Sequence, residues 1–280
     1  MYLLMYLYII SYMEYVYDHI NEILSPKPRK NSLDILEDDK FKGKKIFFIG
    51  LCGGQASGKS KIANYFQKNL KNAAIIAEKN FFKQEKTSRK FSATDEPLIG
   101  EADGYSQERK MLLNDLSNPE CYNHDKLIQC LEDLKEMKSV VIPTFDEDKG
   151  IAVEEGQTID PLEKNIIIVE GYFTFKDQRL CKLFDLKLYI EVDDDVRLSR
   201  LILRENVYLK NNSNAFKTFF FIYLKFLKPS YETNIAIGKK YANIILPNFE
   251  ITENDEIAGD DTLEFLLSNL KGMNLITLQK

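Results

Sequence analysis

The sequence predicts an α/β fold, a doubly wound parallel sheet of about five strands with a helical lid. Three observations predict it. Short apolar runs alternate with segments of helical apolar spacing, the pattern of repeated strand–helix units. One such run, residues 46–51, leads into a glycine-rich turn and then into a helix beginning near Ile62. Another, residues 165–169, ends in Glu170-Gly171, which puts a carboxylate at the carboxyl end of a buried strand. Doubly wound sheets gather their functional groups at that end.

The glycine-rich turn comprises Gly53, Gly54, Gln55, Ala56, Ser57, Gly58, Lys59 and Ser60, a Gly-x-x-x-x-Gly-Lys-Ser phosphate loop. Gly53 and Gly58 are expected to permit positive φ and to leave the backbone N–H groups open to a polyphosphate. The helix that follows offers unpaired N–H groups and the positive end of its dipole. Lys59 can reach the outer phosphates, and the Ser60 hydroxyl can ligate Mg²⁺. With glycine at about 7% of residues, the four fixed positions arise by chance on the order of 1% of the time in a chain this long. The strand before and the helix after lower that further. The segment reads as a site for ATP or GTP with Mg²⁺.

A length of 280 residues suits one large α/β domain with appendages, and 44% hydrophobic residues suits a globular chain. A net charge of −5 gives no electrostatic reason to expect a nucleic-acid partner. Cys52, Cys121, Cys130 and Cys181 show no Cys-x-x-Cys pairing, so they read as reduced packing residues of a cytoplasmic protein. His19 and His124 are the two histidines, too few for a His-based triad to be an attractive reading.

In chain order, residues 1–13 are apolar and aromatic but lack the basic n-region and cleavage site of a secretory signal. This uncharged stretch is too short to span a bilayer, and no Lys or Arg precedes Lys27 to hold a surface helix on a membrane. An accessory docking helix is the leading reading; membrane association and translation starting at Met13 are the alternatives. Residues 25–32 are Pro-rich and basic, a linker, so residues 1–40 are set apart from a main domain of residues 41–280. Residues 73–77 read as a second strand, followed by Glu78 and Lys79 at its carboxyl end. Residues 84–104 read as a loop, residues 106–116 and 125–137 as helices, and residues 139–142 as a strand ending at Pro143. Residues 151–164 look acidic and irregular. Residues 184–190 form the next strand, and Asp193, Asp194 and Asp195 open a helix to about Arg204. On that helix Arg200 and Arg204 share a face, as do Arg197 and Arg200. Residues 213–227 read as a strongly apolar helix stopped by Lys228-Pro229, residues 241–246 as a last strand, and residues 261–270 as a closing helix.

These residues together resemble the uridine kinase family of phosphate-loop kinases. The loop from Gly53 to Ser60, the strand Ile167-Ile-Val-Glu-Gly-Tyr172 and the strand-plus-arginine helix from Asp185 to Arg200 carry the likeness. So do Phe226-Leu-Lys-Pro-Ser-Tyr231 and Lys239-Lys-Tyr-Ala-Asn-Ile-Ile-Leu-Pro247, which extend it over residues 44–248. The resemblance implies a five-stranded parallel sheet, ATP as phosphoryl donor, Mg²⁺, and transfer to the 5′-hydroxyl of a nucleoside, uridine or cytidine. It also implies roles in charge neutralisation for Lys59, Arg200 and Arg204, and Mg²⁺ ligation by Ser60 and Glu170. A small-molecule acceptor is the expected partner, and a homo-oligomer is an open alternative to a monomer.

The departures from the family cluster on the acceptor side. The family's acid after the second strand, which serves as base toward the attacking hydroxyl, aligns with Lys79, and Glu78 stands one residue away. Both enter the catalytic candidates: Glu78 as a replacement base, and Lys79 as a contact for an anionic acceptor. The acidic ribose-binding stretch corresponds to residues 116–123, without its paired aspartates. The base-recognising Tyr and His correspond to Phe145 and residues 146–152, and the lid arginines to residues 208–211. A kinase of another small acceptor, or a nucleotide-binding pseudokinase, is the alternative reading.

Overall fold

The computed structural model describes residues 46–83, 116–146, 151–205, 209, 213–248, 263–264 and 266–268. The expected accessory helix, the loop after residue 83, most of the helix at 106–116 and the lid positions 208, 210 and 211 lie outside the described residues.

A central parallel sheet of five strands carries the chain. Its strands are β1 (Phe47–Gly53), β2 (Ala73–Ala77), β5 (Ile166–Gly171), β6 (Leu186–Glu191) and β7 (Ile244–Pro247), in the order β2-β5-β1-β6-β7. Strand alternation sorts the core into two layers. Phe47, Ile49 and Leu51 of β1 join Ile166 and Ile168 of β5 on one face, where Ile62, Ala63 and Phe66 of helix α1 (Lys59–Asn69) cover them. Phe48, Cys52, Ile167 and Val169 face the other way, against Leu127, Leu131 and Leu134 of helix α2 (His124–Lys135). Helices on both faces bury every β1 and β5 residue, which is why these strands read as unbroken apolar runs. Truncating the fully buried Phe66 to Ala would cost about 3–5 kcal/mol. Leu263, Leu266 and Leu267, within the expected closing helix, are buried in the α1 layer. All four cysteines are buried thiols. Among the described residues no helix is long and apolar enough to cross a membrane.

Three expectations are corrected. Residues 151–159 are not irregular: they form β4 (Ile151–Ile159), paired antiparallel with β3 (Val140–Asp146) in a separate two-stranded sheet. Strand β3 does not stop at Pro143. The register shifts between Ile142 and Thr144, so the proline, which has no N–H to donate, sits at an irregularity in the ladder. Gly156 lies there too, where a Cβ would collide with the Ile142 carbonyl oxygen. The helix after residue 213 also does not end at Pro229. Helix α5, as numbered after α3 (Gln178–Cys181) and α4 (Asp194–Arg204), spans Ser213–Ile222. It continues through π-turns at Tyr223–Leu227 and Tyr231–Ile235 on either side of a helical turn containing Pro229, then a 3₁₀ stretch to Tyr241. The widened turns flank the proline whose missing N–H would break a regular α-helix.

Candidate active site

The phosphate loop joins the carboxyl end of β1 to α1 and is shaped by left-handed backbone at Ala56 (φ 56°) and Gly58 (φ 93°). Gly58 was expected to need that freedom and does. Gly53, expected to share it, instead ends β1 in a space too tight for a side chain: a Cβ there would stand 2.7 Å from the Ile190 carbonyl oxygen. Lys59 Nζ is folded into the loop, donating to the carbonyls of Gly53 at 2.9 Å and Gly54 at 2.8 Å. Burial pulls the Lys59 ammonium down to about 8, against the opposing pull of Glu170, Cys52 and Glu78. Its charge sits 4.2 Å from the centre of the Tyr172 ring.

The Ser60 hydroxyl donates to Glu170 Oε1 at 2.9 Å, so the first turn of α1 and the end of β5 present a hydroxyl and a carboxylate side by side. That pair is an oxygen donor set of the kind hard divalent cations take. The Ser57 hydroxyl and Gln55 Oε1 are buried in the loop with no hydrogen-bond partner among the described residues. A hydroxyl donor there suits a phosphate oxygen, so the loop fits a polyphosphate and its metal ion on the chemistry of its own side chains.

Three arginines of α4 reach the loop in different ways. Arg197 is buried, ion-paired with Asp194, bonded to the Val192 carbonyl at 3.3 Å and stacked 3.6 Å from the Tyr231 ring centre. Its guanidinium closes against Gly54, where a Cβ would lie 2.5 Å from Nη1. Arg200 donates to the carbonyls of Ala56 at 3.4 Å and Asn248 at 3.0 Å, and the Asn248 side chain donates to the Ser57 carbonyl at 2.8 Å. Arg200 therefore braces the outside of the loop. Arg204, one turn on and half exposed, has its Nε 3.7 Å from Glu205 Oε1, and its charge helps to lower the pKa of Lys59. Of the three aspartates at the start of α4, Asp193 stands at the cap position but its side chain makes no capping hydrogen bond, Asp194 pairs with Arg197, and Asp195 Oδ1 accepts from the Val196 N–H at 2.9 Å.

On the acceptor side, Glu78 and Lys79 begin a 3₁₀ turn, Glu78–Phe81, directly after β2. Lys79 is half-buried, with Nζ 6.0 Å from the Phe145 ring centre. Glu78 is 1% exposed and points inward, its Oε2 accepting from the N–H groups of Tyr172 at 2.7 Å and Phe173 at 3.0 Å. His124 Nε2 lies 2.8 Å from Glu78 Oε1. Residues 116–123 form a 3₁₀ turn, Pro119–Cys121, locked by Tyr122 donating to the Leu116 carbonyl and by Ser230 donating to the Ser117 carbonyl. Ser117, Gln55, Arg197, Tyr223 and Tyr231 line a small cleft beside the loop. Sequence reasoning set His124 aside and did not single out Tyr172. The signals were an acid closing one strand and a histidine opening a helix, both at the functional edge of the sheet.

The chain's relatives fit this geometry. The model of the phosphoribulokinase / uridine kinase family matches residues 48–254. A uridine kinase of Macrococcus caseolyticus (strain JCSC5402) is 30% identical over 205 residues, 72% of this chain and 88% of that protein. A uridine kinase of Staphylococcus aureus (strain JH9) is 31% identical over 201 residues, 71% of this chain and 86% of that protein. Uridine kinase-like protein 5 of Arabidopsis thaliana is 30% identical over 210 residues, 73% of this chain but 39% of that longer protein. With most of the chain matched, and a phosphate loop feeding a five-stranded parallel sheet, the protein belongs to the phosphoribulokinase / uridine kinase family.

Proposed function

We propose that the protein transfers the terminal phosphoryl group of ATP, or GTP, to a hydroxyl of a small acceptor, a nucleoside such as uridine or cytidine. The observation that carries this is the Ser60–Glu170 pair, 2.9 Å apart, beside the buried Lys59 on a phosphate loop. The relatives named as uridine kinases support the choice of nucleoside. Ser60 and Glu170 would hold Mg²⁺, which when bound supplies charge neutralisation for the phosphates.

The chain's own residues do the rest. The loop N–H groups and the Ser57 hydroxyl orient the polyphosphate. Lys59 and Arg204 approach it from two sides and offset the charge that shifts to the leaving oxygen as the acceptor O–P bond forms. Arg200 and Arg197 keep the loop in shape from outside. The acceptor hydroxyl gives up its proton late, to an oxygen of the transferred phosphoryl group or to water, because the loose transition state of phosphoryl transfer asks little of a base. An ordinary base contributes about 10²–10⁴-fold. A chain with Lys79 where the family keeps an acid can therefore remain a slow enzyme through positioning alone.

Lys79 favours a second reading, in which the acceptor carries a negative charge that Lys79 contacts. The test is ATP consumption, with Mg²⁺ present, against nucleosides and against anionic hydroxyl compounds, for wild type and Lys79→Asp. Gain of uridine phosphorylation in Lys79→Asp supports a nucleoside pocket. Turnover of an anionic acceptor with a raised KM in Lys79→Ala supports the second reading. Nucleotide bound and never consumed, with every acceptor, makes the protein a pseudokinase and removes the proposal.

A further inference from the structure

We propose that Glu78 and His124 form a positioning pair that fixes the end of β5, and through it Glu170 and Tyr172, against the phosphate loop. The argument begins with strand geometry. β2 and β5 run parallel in register up to Ala77 opposite Glu170. Beyond that point β2 gives way to the 3₁₀ turn, and the next N–H groups of the β5 chain have no strand to pair with. The Glu78 carboxylate takes the strand's place: Oε2 accepts from both Tyr172 and Phe173. The seat is tight, since a Cβ on Gly171 would collide with the carboxylate, so glycine after Glu170 is what lets Glu78 in.

A carboxylate this buried needs partners on its remaining lone pairs. His124 provides one, with Nε2 2.8 Å from Oε1 and its own side chain 12% exposed. His124 is brought there by long-range pairing. Asn123 N–H donates to the Phe81 carbonyl at 2.7 Å, and Phe82 and Tyr122 form an antiparallel bridge, so the start of α2 is tied to the turn that holds Glu78. The other imidazole nitrogen lies 3.9 Å from Asp177 Oδ2, and Arg179 grips both Asp177 and Asp125. Glu78 thus ends a chain of polar contacts, through His124, Asp177 and Arg179, that starts at the surface.

Both groups fixed this way face the loop. Glu170 reaches Ser60 at 2.9 Å, and the Tyr172 ring lies 4.2 Å from Lys59 Nζ. The geometry gives Glu78 a different task from that of a base: three of its roughly four acceptor sites are taken up by two backbone N–H groups and an imidazole, and its side chain is buried. Its effect on metal binding rests on the kinase reading, whereas the backbone it orders does not.

The substitutions Glu78→Gln, Glu78→Ala and His124→Gln separate the roles. Gln retains an oxygen for the two N–H groups, so Glu78→Gln should keep turnover within about tenfold of wild type, whereas loss of a base removes about 10²–10⁴-fold. Glu78→Ala frees the β5 end and should raise the Mg²⁺ concentration needed for half-maximal nucleotide binding by about 10–100-fold, the usual effect of removing a group that orients a ligand. His124→Gln should fall between them. Amide hydrogen exchange at Tyr172 and Phe173 should quicken in Glu78→Ala and, less so, in His124→Gln, with or without nucleotide. Turnover abolished in Glu78→Gln while Mg·nucleotide still binds would overturn the pair in favour of a base. Unchanged exchange and unchanged Mg²⁺ midpoint in folded Glu78→Ala would overturn it outright. If wild type binds no Mg·nucleotide, the kinase reading fails and the exchange measurement still decides the pair.

Discussion

Gly58→Ala tests how the phosphate loop holds its shape. Gly58 has φ 93°, and a Cβ there would collide with the Asn248 side-chain amide. Two costs follow. An L side chain in left-handed backbone costs about 1–2 kcal/mol. Displacing Asn248 breaks its 2.8 Å bond to the Ser57 carbonyl, a loss of about 1 kcal/mol. Gly58→Ala should therefore destabilise by about 2–3 kcal/mol. The two contributions separate in a double-mutant cycle. Asn248→Ala removes the colliding amide and the Ser57 bond together, so adding Gly58→Ala to it costs only the backbone strain. The double variant should be about 1 kcal/mol less destabilised than the sum of the single ones. Urea unfolding of the four proteins measures this, with nucleotide affinity as a second readout. Additivity within about 0.5 kcal/mol would refute the reasoning, because it would mean that Asn248 does not brace the loop at Gly58.

Glu170→Gln leaves the shape of the β5 end intact but removes the charge beside Ser60, so Mg²⁺ titrations of nucleotide binding should shift to higher metal while unfolding midpoints barely move. An unshifted titration would remove Glu170 from the metal site. For His124, burial lowers the pKa, but the hydrogen bond and charge of Glu78 and the charge of Asp177 outweigh it and hold the imidazole above its usual value. Its stabilisation is then full below about pH 6.5 and fades as pH rises through the raised folded value. Wild-type stability should lose that component across this window and His124→Gln should not, so parallel pH profiles from urea unfolding would contradict the ion pair.

The parts of the fold that were legible in the sequence are those where one local signal suffices. The β1–loop–α1 unit carries its turn chemistry in eight consecutive residues, and β5 is buried on both faces, so its apolar run has no competing reading. The β3–β4 sheet was half hidden. In β4 only Ala152 and Ile159 are buried among the residues with described side chains, and Glu154, Glu155 and Gly156 interrupt the alternation that would have marked a strand. Lys228-Pro229 reads as a helix stop, since proline ordinarily breaks a helix, yet the π-turns on either side carry the helical run past it. In the site, spacing puts Arg200 and Arg204 on one helix face. It could not say that Arg200 would grip the Ala56 and Asn248 carbonyls while Arg204 stands half exposed beside Glu205. The Glu78–His124 contact spans 46 positions and depends on the Phe82–Tyr122 bridge, which no local pattern announces.

The loop is held by elements from the far end of the chain, and this bears on how the site can work. β7 pairs with β6 at the sheet edge, and the Asn248 N–H then donates to the Glu191 carbonyl at 2.9 Å, which delivers the Asn248 side chain to the loop. Tyr231, on a π-turn near residue 230, supplies the ring on which Arg197 stacks while its guanidinium closes against Gly54. Arg200 bonds to both the loop and Asn248. The outer wall of the loop is thus built from α4, the helical run beyond α5 and the β7 end, and its inner side from Lys59, Glu170 and Tyr172. A preorganised loop holds its charge-neutralising groups in place before any phosphate arrives, which is where electrostatic catalysis gains most. Lys79 and Phe145 stand apart from this bracing, on a turn and on the separate β3–β4 sheet. Substitution of Lys79 or Phe145 should therefore leave the bracing of the loop undisturbed, whereas substitution of Glu78, on the same turn as Lys79, should not.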